Sequence, residues 1–453
     1  MSSKDKFTDD GCPEFELDSF DLGLRTSALR ARIESDRQAI SPTPPVTEAV
    51  NLHYHTFFSY NAEGLSPSHV AWRARRAGLA VAGIVDFDVL DGLEEFLEAG
   101  QVLGLRTCVG LETRVFLPEY ADKVVNSPGE PGICYHMGMG FTHACLDRGA
   151  TQFLSGLRAT AGQRNRQLTE HVNHHLSPVE LDYAGEVLPL TPSGNPTERH
   201  ICLAYARKAR SVFADPHGLA EFWREKLKVD PAELDLPEGL ALQQEIRAKL
   251  MKRGGPGYVQ PDTGSFPTMK DMNRFIADAG GIPTYAWLEG MSEGERDAER
   301  LIDTVDGLGV EALNIIPDSN YTPGMDDARL AKLREIVALA EARGLPVFVG
   351  TEMNSPGQKF VDDFDAAELR PLLSTFLRGA YIAYGHTALQ RAAGLGYTSA
   401  WARKWLGDRR AKSDFYGTVG RLVDPAKGLS LPPLDERSRP ESVLKTLERQ
   451  AQP

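Results

Sequence analysis

The sequence predicts an α/β protein built on a parallel sheet, and three observations predict it. Short apolar runs ending in polar residues recur along the chain, each followed by a stretch with helical spacing. The first of these helices has a plain start signal, Ser66-Pro67, with serine at the N-cap and proline at the first helical position. The alternation breaks between about 142 and 264 and then resumes with the same rhythm. Repeated βα units of this length imply a parallel sheet, open or closed into a barrel.

Taken in order, residues 1–48 read as an arm. A helix is predicted over 25–38, and Ser41-Pro42-Thr43-Pro44-Pro45 as a stiff linker. Residues 50–55 form a strand end, and the following helix stops at Gly78. Residues 79–85 are a buried apolar strand, 91–103 a helix, and 106–116 carry the next strand. The interruption is polar and helix-like, with segments at 150–176, 198–209 and 220–227, and loops at 230–239 and 253–257. It reads as an inserted helical subdomain. Helices then follow at 268–279, 292–308 and 326–343, and strands at 281–287, 310–316 and 345–350. The stretch after Asp408 is rich in charge and proline and predicts loose packing.

At 453 residues the chain can bury one large core or two smaller ones. A net charge of −13 argues against a general nucleic-acid coat but leaves room for a nucleotide or short oligonucleotide gripped locally. Cys12, Cys108, Cys134, Cys145 and Cys202 are odd in number and form no CxxC pair. They predict reduced thiols in a cytoplasm, not a disulfide framework or zinc knuckle. No apolar run is long enough to span a bilayer, and the charged, polar N-terminus is not a secretory signal.

The chemistry concentrates at strand ends, where α/β sheets place function. In Asn51-Leu52-His53-Tyr54-His55-Thr56 two histidines stand at i and i+2, so both point the same way from a strand. Glu112, two βα units later in Gly110-Leu111-Glu112, can join them on one metal ion or bridge to a second. Other polar residues ending apolar runs are Asp86, Asp88, His136, Trp287, Glu289, Asn314, Glu352 and Asn354. Any one of these alone reads as a hydrogen-bonded structural residue; several at successive strand ends read as a site. Arg114 shares the face of Glu112 and suits either a phosphate or a salt bridge. No Gly-x-Ser-x-Gly elbow or reactive cysteine appears, so nucleophilic catalysis by the protein is disfavoured.

These residues resemble a known family. His53-Tyr54-His55-Thr56, Ser59, Gly64, Ser66-Pro67, Gly78-Leu79, Asp86, Asp88, Gly92 and Gly110-Leu111-Glu112 are similar to the opening of the polymerase-and-histidinol-phosphatase (PHP) superfamily. Tyr135-His136-Met137-Gly138 is similar to its short strand with one histidine. Thr197-Glu198-Arg199-His200-Ile201, Gly257-Tyr258-Val259, Phe266-Pro267 and Ala279-Gly280-Gly281-Ile282 resemble one branch, with a helical insert, that hydrolyses 3′,5′-bisphosphonucleotides or trims short RNA. The resemblance covers roughly residues 48–355. It implies a distorted (β/α)7 TIM-like barrel: an arm and linker over 1–48, the first half of the barrel over 49–141, a helical insertion over 142–265, the second half over 266–405 and a tail over 406–453. It also implies a cluster of divalent ions, manganese, iron or zinc.

Carried over residue by residue, His53, His55 and Glu112 match ligands, His136 matches a second-metal ligand, and His200 a histidine that contacts metal or phosphate. The departures are specific. Phe87 and Trp287 stand where the family has ligand histidines, and Glu352 and Asn354 replace an aspartate and a histidine. The expected ligand set is therefore His53, His55, Glu112, His136 and Glu352 around one or two ions. Arg114 and His200 are expected on phosphate, and Asp86 behind a ligand histidine. Phe87 and Trp287 are expected to stack on a base or ring. The function implied is metal-dependent hydrolysis of a phosphate ester of a small nucleotide-like molecule by activated water, or trimming of a short oligonucleotide, in the cytoplasm. Two alternatives stay open: a non-catalytic binding or regulatory module with a partly lost metal site, and amide or ester hydrolysis on the same scaffold.

Other motifs carry less. His171 and His175 are one helical turn apart, without a nearby cysteine or an HExxH glutamate, and read as a solvated or phosphate-facing helix. Arg253-Gly254-Gly255-Pro256-Gly257 lacks the GK[ST] ending of a P-loop and reads as a closing turn. Asn354, Gln358 and Lys359, beyond the last strand, suit either substrate contact or a turn.

Overall fold

A computed structural model describes residues 14–38, 44–143, 147–261, 264–321, 327–427 and 437–451. Cys12 and Cys145, and much of the expected linker at 41–45, lie outside the described residues. The chain forms two compact units. One comprises 1–56, 61–151 and 267–453; the other comprises 57–60 and 152–266.

The first unit is a seven-stranded sheet whose strands follow chain order. They are β1 (Val50–Tyr54), β2 (Val81–Phe87), β3 (Arg106–Phe116), β4 (Ile133–Met139), β5 (Ile282–Trp287), β6 (Ala312–Ile315) and β7 (Val347–Val349). Each is almost wholly buried, as expected of strands covered on both faces. All neighbours are parallel except at β4, which runs antiparallel to both β3 and β5. The cause is the connection. A parallel return needs a crossover, ordinarily a helix, and between β3 and β4 the chain forms only the short turn Pro118–Tyr120.

The sheet curls until its ends meet. Tyr54 bridges Glu352 in the parallel sense, and the His55 N–H donates to the Glu352 carbonyl at 2.8 Å. A Cβ on Gly350 would fall 2.4 Å from the His53 Cβ and 2.5 Å from Asn51 Oδ1. Only glycine lets the chain beyond β7 come this close to β1. The result is a distorted TIM-like barrel, closed just where the two histidines stand.

The described parts of both ends are packed, which for the C-terminal stretch corrects the expectation of loose packing. Over its described residues the N-terminal arm is held against the barrel unit. Arg25 is 3% exposed and grips Glu95 with two nitrogens at 2.9 and 2.6 Å, while Leu17, Ala28 and Leu29 are buried. The C-terminal stretch is likewise anchored by the helix Arg409–Leu422, which buries Phe415, Tyr416 and Val419. Its charges are in use: Arg409 bonds Asp306, and Lys412 bonds Glu311 at 3.0 Å.

The second unit is helical, chiefly Arg148–Leu176, Glu198–Val212, Pro216–Leu227 and Leu240–Ile246. It has its own core around Val172, Leu176, Tyr205, Trp223, Leu242 and Ile246.

Candidate metal centre

Strand alternation puts His53 on the inner face of β1 and His55, just past its end, on the same side, and β3 delivers Glu112 to the same point. One carboxylate oxygen, Glu112 Oε2, lies 3.3 Å from His53 Nε2 and 3.1 Å from His55 Nε2. All three side chains are buried, and their ligand atoms lie within 4.8 Å of one another. Among the described residues they form the one group of three or more His, Cys, Asp or Glu able to hold an ion. Two imidazoles and a carboxylate suit zinc or a comparable divalent transition ion.

Electrostatics sets this group apart from ordinary buried residues. Burial works to lower the His53 pKa, yet the Glu112 contact and the charges of Glu112 and Glu352 raise it. Burial works to raise Glu112, yet the two histidines hold it well below the usual carboxylate range. Opposite charges facing one another overcome desolvation here.

The supports are also visible. His53 Nδ1 lies 3.0 Å from Asn314 Oδ1 on β6, and the His53 N–H donates to Asn51 Oδ1 at 2.9 Å. Asn51 Nδ2 in turn reaches Thr351 Oγ1 at 2.7 Å. Asn61 Nδ2 donates to the His55 carbonyl at 2.8 Å. Sequence reasoning noted Asn314 without giving it a role and missed Asn51 and Asn61. Asn51 had a signal, because it stands two residues before His53 on the same face.

The remaining expected residues fall in different places. Glu352 sits at φ 64° followed by Met353 at φ 58°, a left-handed pair without glycine, at the point where the barrel closes. Its carboxyl is raised by burial and by Glu112, against the pull of His53 and His55, and it accepts from Gln358 Nε2 at 3.1 Å. Asp86 accepts from Thr56 N and Thr56 Oγ1 at 2.8 and 2.7 Å, so it pins the residue after His55. Arg114 bonds Glu130 at 2.7 Å, the salt bridge being with a partner other than those expected. His200 belongs to the helical unit, where its Nδ1 accepts from Thr197 N at 3.1 Å and completes a capping box.

His136 is not brought to the group. In the antiparallel pairing Glu112 faces Met137, while His136 faces Thr113. Paired residues share a face and successive ones alternate, so His136 points away from Glu112. Its Nε2 meets Asn273 Oδ1 at 2.6 Å on the helix Met269–Asp278, and burial lowers its pKa to about 4. Trp287 is 1% exposed. Phe87 is in register with Glu112, and its ring centroid is 4.4 Å from that of His55, inclined at 32°.

No family model matches the chain. Over 94 residues, 21% of this chain, it is 31% identical to an error-prone DNA polymerase from Cutibacterium acnes. That stretch is 8% of the polymerase, so the chain covers a small part of this relative's length. Among solved structures, an amidohydrolase from Chromobacterium violaceum with bound sulfate and no metal is 19% identical, with a TM-score of 0.48 over 72% of this chain and 96% of that one. A protein from Bifidobacterium adolescentis described as a metal-dependent phosphoesterase is 16% identical, with a TM-score of 0.48 over 74% and 98%. The His-x-His opening with its glutamate, the seven-stranded barrel that closes around it and the stretch shared with a polymerase agree: this chain resembles the PHP superfamily.

Proposed function

We propose that the chain is a metal-dependent hydrolase of phosphate esters, with a small nucleotide-like substrate. The observation that carries this reading is the buried convergence of His53 Nε2, His55 Nε2 and Glu112 Oε2. His53, His55 and Glu112 would hold a divalent ion there, which would supply polarisation of a phosphoryl oxygen and a water of near-neutral pKa. The protein's own residues do the rest. Glu352 adds a carboxyl beside the histidines, and its proximity to Glu112 favours the form that a cation would discharge. Asp86 fixes the chain just after His55 through Thr56. Arg114, on the Glu112 face of β3, is the cation we assign to phosphate, released from Glu130 when substrate enters. His200, in the helical unit, accepts at Nδ1, so its neutral ring carries the proton on Nε2.

A single ion is the stoichiometry we favour. His136 faces the helix layer, and Phe87 occupies the flank of His55. The same Phe87 ring supports a substrate with a flat base or ring. It also favours a second reading, a binding module in which an aromatic side chain has replaced a ligand.

Metal content and turnover decide between the two readings. Purified chain loaded separately with manganese, iron and zinc is assayed by plasma mass spectrometry, then against phosphate monoesters and 3′,5′-bisphosphonucleotides. One ion per chain, lost in Glu112→Gln together with phosphate release, supports the hydrolase. One ion without turnover of any phosphate ester supports the binding module. No bound ion in the wild type overturns both metal readings.

A further inference from the structure

We infer that Asn314 sets the tautomer of His53, keeping the ring proton on Nδ1 so that the Nε2 lone pair faces the ion; this rests on the metal centre proposed above. A neutral imidazole has one donor nitrogen and one acceptor nitrogen. A histidine can ligate through Nε2 only if the proton is held at Nδ1 by an acceptor. His53 Nδ1 has one such neighbour, Asn314 Oδ1 at 3.0 Å, and both side chains are buried.

The arrangement separates two outcomes for the same pair of residues. With the amide oxygen toward the ring, Nδ1–H donates to Asn314 and Nε2 is left to a cation between it and Glu112. With the amide reversed, Asn314 Nδ2 would donate to Nδ1. The proton would then sit on Nε2 and be spent on Glu112 Oε2 at 3.3 Å, giving a plain structural pair. In the observed orientation Asn314 Nδ2 is buried without a hydrogen-bond partner among the described residues. A buried orphan donor is costly. It persists beside this group because the other end of the amide is committed to His53.

The choice of amide over carboxylate has a charge argument. Glu112 and Glu352 already bring two carboxyl groups to the site, enough to neutralise one divalent ion. A carboxylate at 314 would accept from Nδ1 equally well but add a third negative charge to a buried cluster. An amide carbonyl supplies the acceptor without the charge. Asn314 is a positioning residue in this account, acting through His53.

The first test needs no variant. Long-range proton–nitrogen NMR of the metal-free wild type, at alkaline pH where the ring is neutral, reads the His53 tautomer directly. Nδ1–H is expected; Nε2–H overturns the inference. Zinc affinity by chelator competition is then compared across Asn314→Leu and Asn314→Asp. The leucine variant is expected to lose roughly 10–100-fold in affinity and to shift His53 to Nε2–H, while aspartate keeps the Nδ1–H form. Unchanged affinity and tautomer in Asn314→Leu overturn the inference. If Asn314→Leu fails to fold, the wild-type tautomer and its retention in Asn314→Asp still decide. Should the wild type bind no zinc yet show Nδ1–H, the metal reading falls and the tautomer assignment stands.

Discussion

Two faces of one sheet carry buried histidines, and they behave in opposite ways. On the inner face His53 meets Glu112 and Asn314, and its pKa is raised despite complete burial. On the outer face His136 meets the neutral Asn273, and burial pushes it down to about 4. His386 repeats the outer pattern. Its Nδ1 accepts from Tyr397 N at 2.8 Å, its Nε2 donates to the Gly140 carbonyl at 3.0 Å, and its pKa also falls to about 4. Burial of a histidine is thus no mark of a metal site. What distinguishes His53 is the facing Glu112 carboxylate, whose opposite charge offsets desolvation.

The largest effect that could break this comparison is on metal binding. His55→Gln removes one of three converging ligands and is expected to lower zinc affinity by more than ~100-fold, beyond what the loss of an outer support does. His136→Gln is expected to leave both stoichiometry and affinity unchanged, since its side chain meets Asn273 on the other face. Equilibrium dialysis followed by mass spectrometry measures both. A loss of metal in His136→Gln would mean that β4 turns over in solution and that the two faces are not distinct.

Much of the inner face was legible in the sequence. The His53–His55 alternation needs no long-range information, and Glu112 ends an apolar run at a recognisable distance. The orientation of His136 was not legible. It depends on the direction and register of β4, and a one-residue slip would move His136 to the inner face. The helix Leu373–Ala393 passed unseen for another reason. It is buried at Phe376, Ile382, Tyr384, His386 and Leu389, all around its circumference, so it shows no one-sided helical period. The docking of the N-terminal helix turned on Arg25 and Glu95, seventy residues apart, a pairing that spacing cannot suggest.

Acid stability sharpens the same contrast with a smaller effect. His136 and His386 are neutral in the folded chain and protonate near 6.5 once unfolded. Their contribution is complete above pH 6.5 and is lost as the pH falls toward 4. Each should add about 1.4 kcal/mol of destabilisation per pH unit within that window. His53 has the opposite sign. Raised when folded, it contributes stability below 6.5 that is lost as the pH rises through its folded value, in the metal-free chain. Urea unfolding of the metal-free chain across pH 4–8 should show the acid limb flattened in His136→Gln and in His386→Gln. His53→Gln should instead flatten the limb above pH 6.5. An unchanged acid limb in both outer-face variants would show that these rings charge without penalty.

The contrast extends to acids, where the expected effect is that of a single proton. Glu112 is buried with positive neighbours and held low; Asp362 is buried and pushed up to about 8. Burial is the main cause and the charge of Asp318 adds to it, only partly offset by Lys359, which is itself bonded to Asp318 at 2.6 Å. Folded Asp362 is therefore protonated where the unfolded chain, with an aspartate pKa of 3.8, is ionised. Stability from this group is present below pH 3.8 and is lost as the pH rises toward 8, at about 1.4 kcal/mol per unit. Asp362→Asn keeps the shape of the protonated acid and removes the titration. It should match the wild type near pH 4 and be the more stable of the two at pH 7, by an amount that grows with pH. If the two unfold together at pH 7, Asp362 is ionised in the folded chain. A counter-charge must then reach it, and the rule that separates Glu112 from Asp362 would fail at that position.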